Sequence, residues 1–242
     1  METIIQVNPE TNVQTNPETN VQTNPETNVQ TNPETNVQTN PETIIQIKIK
    51  GEEWLDKMLR AEFTYTKPGS ITHLLYGSKP SEQSINIKFG RFGEVLAKEL
   101  ICVNKDLQLL QCGVQQINDK KKDVDLIWEN KKTQTIYYRE LKGNIEIDTE
   151  KLPATINKCK EIESSLKKTY PEHTINCGIL NWSIYNRQIL TAGLSNIKTF
   201  ETGGVKIDHM VDFLQSVGIE WDEDDFYGYF RTLGDKLKKQ FE

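Results

Sequence analysis

Two short apolar runs joined by a polar turn, with a long amphipathic stretch and a third apolar run behind them, restrict this chain to a mixed α/β layout. Asp125-Leu126-Ile127-Trp128 reads as one strand and Thr135-Ile136-Tyr137-Tyr138-Arg139-Glu140-Leu141-Lys142 as a second. Glu129 to Lys132 between them is polar and turn-like, so the pair forms a β-hairpin. A helix over about 149–169 follows, with Asp148 or Thr149 as its cap and Leu152, Ile156, Cys159, Ile162 and Leu166 as its apolar stripe. Ile175, Cys177, Ile179 and Leu180 mark a strand over 174–181, fed by that crossover helix. A helix over about 91–102, with Phe92, Val95, Leu96 and Leu100 at helical spacing, precedes the hairpin. The order helix, hairpin, helix, strand is a mixed α/β layout.

The flanks carry weaker signals. Residues 1–43 are built on a repeated octapeptide, TNPETNVQ, with prolines at positions 9, 17, 25, 33 and 41. One Val per unit is too little apolar surface to offset the backbone entropy of ordering, so the segment is expected to be a disordered arm. Glu2-Thr3-Ile4-Ile5-Gln6 recurs as Glu42-Thr43-Ile44-Ile45-Gln46, as an insertion of repeats into an older start would leave it. Deleting residues 2–41 is expected to change neither stability nor activity. Ile45, Ile47 and Ile49 alternate with polar residues and predict a strand over 44–50. Trp54, Leu55, Met58 and Leu59 predict a helix over 51–62. Residues 66–84 read as loop, 182–208 as loop-rich, and 207–217 and 222–240 as helices.

Charge neither supports nor excludes a nucleic-acid partner. The net charge is −6, but the first 42 residues hold six glutamates and no Lys or Arg, and without them 29 acidic residues face 29 basic ones. No apolar run approaches the ~20 residues of a membrane span, and no basic-then-apolar secretory signal opens the chain. Cys102, Cys112, Cys159 and Cys177 form no CxxC pair and read as reduced core cysteines, which fits the cytoplasm. His73, His173 and His209 have no metal-protease spacing and read as surface or hydrogen-bonded residues. No GxxxxGK[ST] loop is present, which disfavours an ATP-driven motor. Trp221-Asp222-Glu223-Asp224-Asp225 reads as an acidic helix start complementing the dipole. Lys120-Lys121-Lys122 and Lys131-Lys132 are either phosphate contacts or solvated turns.

The hairpin carries the chemistry. Residues i and i+2 of a strand share a face, so Glu140 and Lys142 project together while Leu141 enters the core. Asp125 opens the neighbouring strand and can reach the same edge. Two carboxylates at one point repel unless a cation lies between them, and hard oxygen ligands with open water positions suit Mg²⁺. Such an ion polarises a phosphoryl oxygen and acidifies water, as phosphodiester hydrolysis requires. Lys142 can orient the attacking water and neutralise developing charge. Asp123 competes with Asp125, which is preferred because it directly abuts the apolar run.

Asp125-Leu126-Ile127 followed fifteen residues after Asp125 by Glu140-Leu141-Lys142 resembles the D…(D/E)XK signature of the PD-(D/E)XK nuclease superfamily. Val124 stands where that signature has its Pro. The resemblance covers roughly 90–181 and implies a restriction-endonuclease-like fold over 44–242, a central mixed β-sheet of about four strands flanked by helices, with Asp125, Glu140 and Lys142 catalytic and Mg²⁺ held by the two acids. It also implies that Glu94, on the helix before the hairpin, joins the metal site. The member most resembled is a type II restriction endonuclease: a cytoplasmic homodimer cutting double-stranded DNA at a specific sequence, paired with a cognate DNA methyltransferase. Sequence reading then falls to polar residues outside the core, here Asn186, Arg187, Gln188 and Lys198 in the 182–242 region and Lys88 and Arg91 ahead of the hairpin. A repair or junction-resolving nuclease, or a catalytically silent DNA-binding protein, would share the fold.

Overall fold

The Ile-rich run that alternates like a strand is a helix. The computed structural model describes residues 41–143, 151–187 and 201–241, so the repeat segment 1–40, Asp148, Thr149, Gln188 and Lys198 lie outside the described residues. Helix α1 spans Pro41–Leu59 and buries Ile44, Ile47, Gly51, Leu55 and Met58, a spacing of three and four, while Ile45 and Ile49 face outward. Burial of that stripe against two other helices overrides the strand preference of its β-branched residues. Gly51 is required by close approach, since a Cβ there would collide with the Tyr229 hydroxyl.

The segment expected as loop over 66–84 holds a short helix, α2 (Ile71–Tyr76), and the start of α3 (Glu82–Val103). Helix α3 begins well before residue 91 because Ser81 caps it, its hydroxyl accepting from the Ser84 N–H at 3.2 Å.

Strands β1 (Leu107–Leu109), β2 (Gly113–Ile117) and β3 (Lys120–Val124) precede the hairpin. The hairpin itself is β4 (Leu126–Asn130) and β5 (Thr135–Lys142), antiparallel with Leu126 opposite Arg139 and Trp128 opposite Tyr137. Helix α4 (Leu152–Thr169) crosses to β6 (Thr174–Asn181), which pairs parallel with β5 along its whole length. Strands β7 (Glu201–Thr202) and β8 (Val205–His209) follow, then α5 (Met210–Val217) and α6 (Glu223–Phe241). Residues 207–209, read as helix from the sequence, close a strand instead.

The sheet has six strands in the order β1-β4-β5-β6-β8-β7 and is mixed: antiparallel from β1 to β5, parallel through β5, β6 and β8, antiparallel again at β7. Strands β2 and β3 form a separate ribbon whose turn residues Asn118 and Asp119 both have positive φ, the geometry of a tight two-residue hairpin. Lys120, Lys121 and Lys122 are thus strand residues, and Lys122 pairs with Glu161 of α4 at 2.6 Å.

Alternation along the strands divides the interior in two. Leu126, Trp128, Leu141 and Leu180 pack with α1, α3, α5 and α6, through Phe92, Leu96, Phe213, Phe226 and Tyr229. Ile127, Ile136, Tyr138 and Ile179 pack under α4 with Cys159, Ile162 and Leu166. Of the four cysteines only Cys159 is fully buried; all are free and Cys102 is exposed. Among the described residues no helix is long and apolar enough to cross a membrane.

One buried charge pair crosses the sheet on the face opposite α4. Arg139 and Asp208, with 0% and 1% of their side chains exposed, meet at 2.7 Å through Nε and Oδ2. The guanidinium also donates through Nη1 to the Tyr138 and Asn176 carbonyl oxygens, and through Nη2 to Asn176 Oδ1. Burial alone would raise the Asp208 carboxyl, but Arg139 and Lys206 hold it below the usual aspartate range.

Candidate active site

Asp125 sits at the single-residue joint between β3 and β4, where the ribbon meets the main sheet. The hairpin register brings it beside the end of β5, and its Oδ2 accepts from the Leu141 N–H at 2.9 Å. Glu140 and Lys142 leave β5 on the α4 face, as the period of two requires, with Leu141 in the opposite core. Glu140 Oε1 lies 2.8 Å from Lys142 Nζ, and its Oε2 accepts from the Tyr138 hydroxyl at 2.7 Å. The three residues expected to meet do so.

A fourth charged group completes the cluster. Lys158 of α4 places Nζ 2.5 Å from Glu140 Oε2 and 3.5 Å from Asp125 Oδ1. Lys158 and Tyr138 escaped the sequence reading. Both left a signal: Lys158 lies three residues after Thr155 and four before Ile162, within the buried face of the helix, and Tyr138 shares the strand face of Glu140. A Lys inside an apolar stripe needs a partner, because an unpaired buried ammonium is costly.

The cluster's electrostatics follow from its burial. The Glu140 side chain is 6% exposed, Asp125 16%, Lys158 19% and Lys142 31%, so the site opens toward solvent on the Lys142 side. Burial, and then the charge of Glu140, push the Asp125 carboxyl up to about 6, against the pull of Lys158. Burial acts the same way on Glu140, but Lys142 and Lys158 outweigh it and hold that carboxyl below its ordinary range. Burial would lower the Lys158 ammonium, yet Glu140 and Asp125 keep it above its usual value. Burial and Glu140 together raise the Tyr138 phenol well above its ordinary value, so it stays protonated and donates to Glu140.

The other expected residues make contacts of their own. Glu94 on α3 is partly exposed and pairs with Lys98 at 3.6 Å. Among the described residues no three His, Cys, Asp or Glu side chains converge closely enough to hold a metal; the Cys112 thiol feels the charges of both Glu94 and Asp125. Asp123 is exposed on β3, opposite Val114. Lys88 lies over the Phe63 ring and Arg91 is exposed on α3. Asn186 is partly buried, and Arg187 donates to the Ile207 carbonyl and to Asp212 at 2.8 Å, bracing the start of α5. His209 is no surface residue: it is fully buried, its backbone N–H donates to Asp212 Oδ2 at 2.8 Å, its Nδ1 stands 3.9 Å from the same oxygen, and burial holds its imidazole below the usual pKa. The acids Glu223, Asp224 and Asp225 open α6 as a helix start should.

No family model, curated protein or solved structure matches the chain.

Proposed function

We propose that this protein is a Mg²⁺-dependent endonuclease of the PD-(D/E)XK kind that hydrolyses phosphodiester bonds in double-stranded DNA, with Asp125, Glu140 and Lys142 at its centre. One observation carries the reading: the carboxylates of Asp125 and Glu140 converge on a single ammonium group beside a second lysine, at the edge where an antiparallel hairpin passes into a parallel crossover. Carboxylates that share one cation are spaced to share another, and their oxygens are the hard donors that Mg²⁺ prefers. Asp125 and Glu140 would hold the ion, which would supply Lewis-acid polarisation to a phosphoryl oxygen and to water. Tyr138 and Lys142 fix the orientation of Glu140. Lys142, the most exposed of the four charged groups, faces the approach of a phosphate and can neutralise charge on the phosphorane or steer the attacking water.

A type II restriction enzyme is the specific form of the proposal, acting as a twofold dimer on palindromic sites protected by a methyltransferase. The test is incubation of the full chain with plasmid-length duplex, or with a four-way junction, in Mg²⁺ and in EDTA. Discrete Mg²⁺-dependent fragments support site-specific cleavage. Nicks confined to junctions would shift the substrate to structured DNA, and DNA left intact under every condition would overturn the nuclease reading.

A further inference from the structure

We infer that Lys158 is a resident counter-cation of the carboxylate pair, which a divalent ion must displace in order to bind; this rests on the endonuclease reading above. The oxygens of the two acids can be accounted for one by one. Asp125 Oδ2 is taken by the Leu141 N–H, and Glu140 Oε1 by Lys142. Glu140 Oε2 also accepts from the Tyr138 hydroxyl at 2.7 Å, and it and Asp125 Oδ1 are the two oxygens, one from each acid, that face a common partner, Lys158 Nζ, at 2.5 and 3.5 Å. An ion held by both acids through those oxygens needs the volume that the ammonium fills.

The placement is built rather than incidental. Lys158 projects from the same face of α4 as Thr155 and Ile162, so the helix that packs on the sheet also delivers the charge. Without it, two largely buried carboxylates would face each other with Lys142 alone to balance them. Its side chain remains 19% exposed, and the flexible four-carbon stem allows the ammonium to move to the rim without unpacking the helix. Lys158 therefore acts through Asp125 and Glu140 as a positioning residue. It keeps the empty site in register and sets the divalent-ion concentration at which the site fills.

The inference is tested on the full chain without DNA, by calorimetric titration with Mn²⁺ alone and by thermal unfolding in EDTA and in Mn²⁺. Lys158→Met, which keeps the stem and loses the charge, should bind Mn²⁺ about tenfold more tightly than the native protein or better. It should also unfold at lower temperature in EDTA and gain more from Mn²⁺. Equal or weaker Mn²⁺ binding by Lys158→Met would overturn the displacement proposal and leave the endonuclease reading standing. Absence of Mn²⁺ binding in both proteins would overturn the metal reading itself. Should Lys158→Met fail to fold in EDTA, Lys158→Gln, an uncharged residue that still donates, is titrated in its place against the same two outcomes.

Discussion

Glu140→Gln is expected to reduce Mg²⁺-dependent cleavage of duplex DNA by on the order of 10³-fold while leaving the fold in place. The substitution is nearly isosteric and removes the negative charge from the side chain that contacts Lys142, Lys158 and Tyr138 at once. All three partners are donors. A carboxamide offers one oxygen and one NH₂, so a donor must face a donor whichever way it is turned. That mismatch costs about 1–3 kcal/mol of stability, well short of unfolding an ordinary domain. Glu140→Ala is the poorer probe, since it leaves three donors unanswered in a pocket where the native side chain is only 6% exposed. Conversion of supercoiled plasmid measures the rate, and circular dichroism with thermal unfolding confirms the fold. Cleavage within tenfold of native would remove Glu140 from the chemistry.

Arg139→Met should lower unfolding free energy by about 3–5 kcal/mol, the range seen when one member of a buried ion pair is removed. Methionine fills much of the guanidinium's stem volume, so the loss is mainly electrostatic. Asp208 would keep its burial and Lys206 but lose its main counter-charge, and the Asn176 carbonyl and side-chain oxygens would lose their donors. The pH dependence has a definite sign. Asp208 is held below the ordinary 3.8 in the native fold, so the pair's contribution is present above that value and is lost as pH falls through the depressed one. In the variant burial dominates, and protonation of Asp208 relieves the penalty on acidification. The stability gap between native and variant, measured by urea unfolding, should therefore be widest near neutral pH and narrow in acid. A gap independent of pH would mean that packing, and not charge, is what Arg139 supplies.

The core of the site was legible because it depends on local periodicity. Strand alternation placed Glu140 and Lys142 on one face with Leu141 behind them. The polar turn at Glu129–Lys132 implied the hairpin that brings Asp125 alongside, and the 174–181 strand was read with its observed bounds. The same rule misread 44–50, where Ile45, Ile47 and Ile49 suggest a strand but Ile44, Ile47, Gly51, Leu55 and Met58 are the residues that pack. A short Ile-rich run such as 44–50 fits either period, and contact with α3 and α6 decided between them. The β2–β3 ribbon went unread because its strands are short, polar and charged on their outer faces.

What the residues alone determined is which side chains share a face within one strand or helix, since that follows from backbone geometry fixed at the scale of a few residues. Which charges meet across elements was left to the assembled fold. Lys158 reaches Glu140 from a different element, and Arg139 finds Asp208 at 69 positions' separation. A buried ion pair forms only where packing removes water from both partners together, and no local pattern records where that happens.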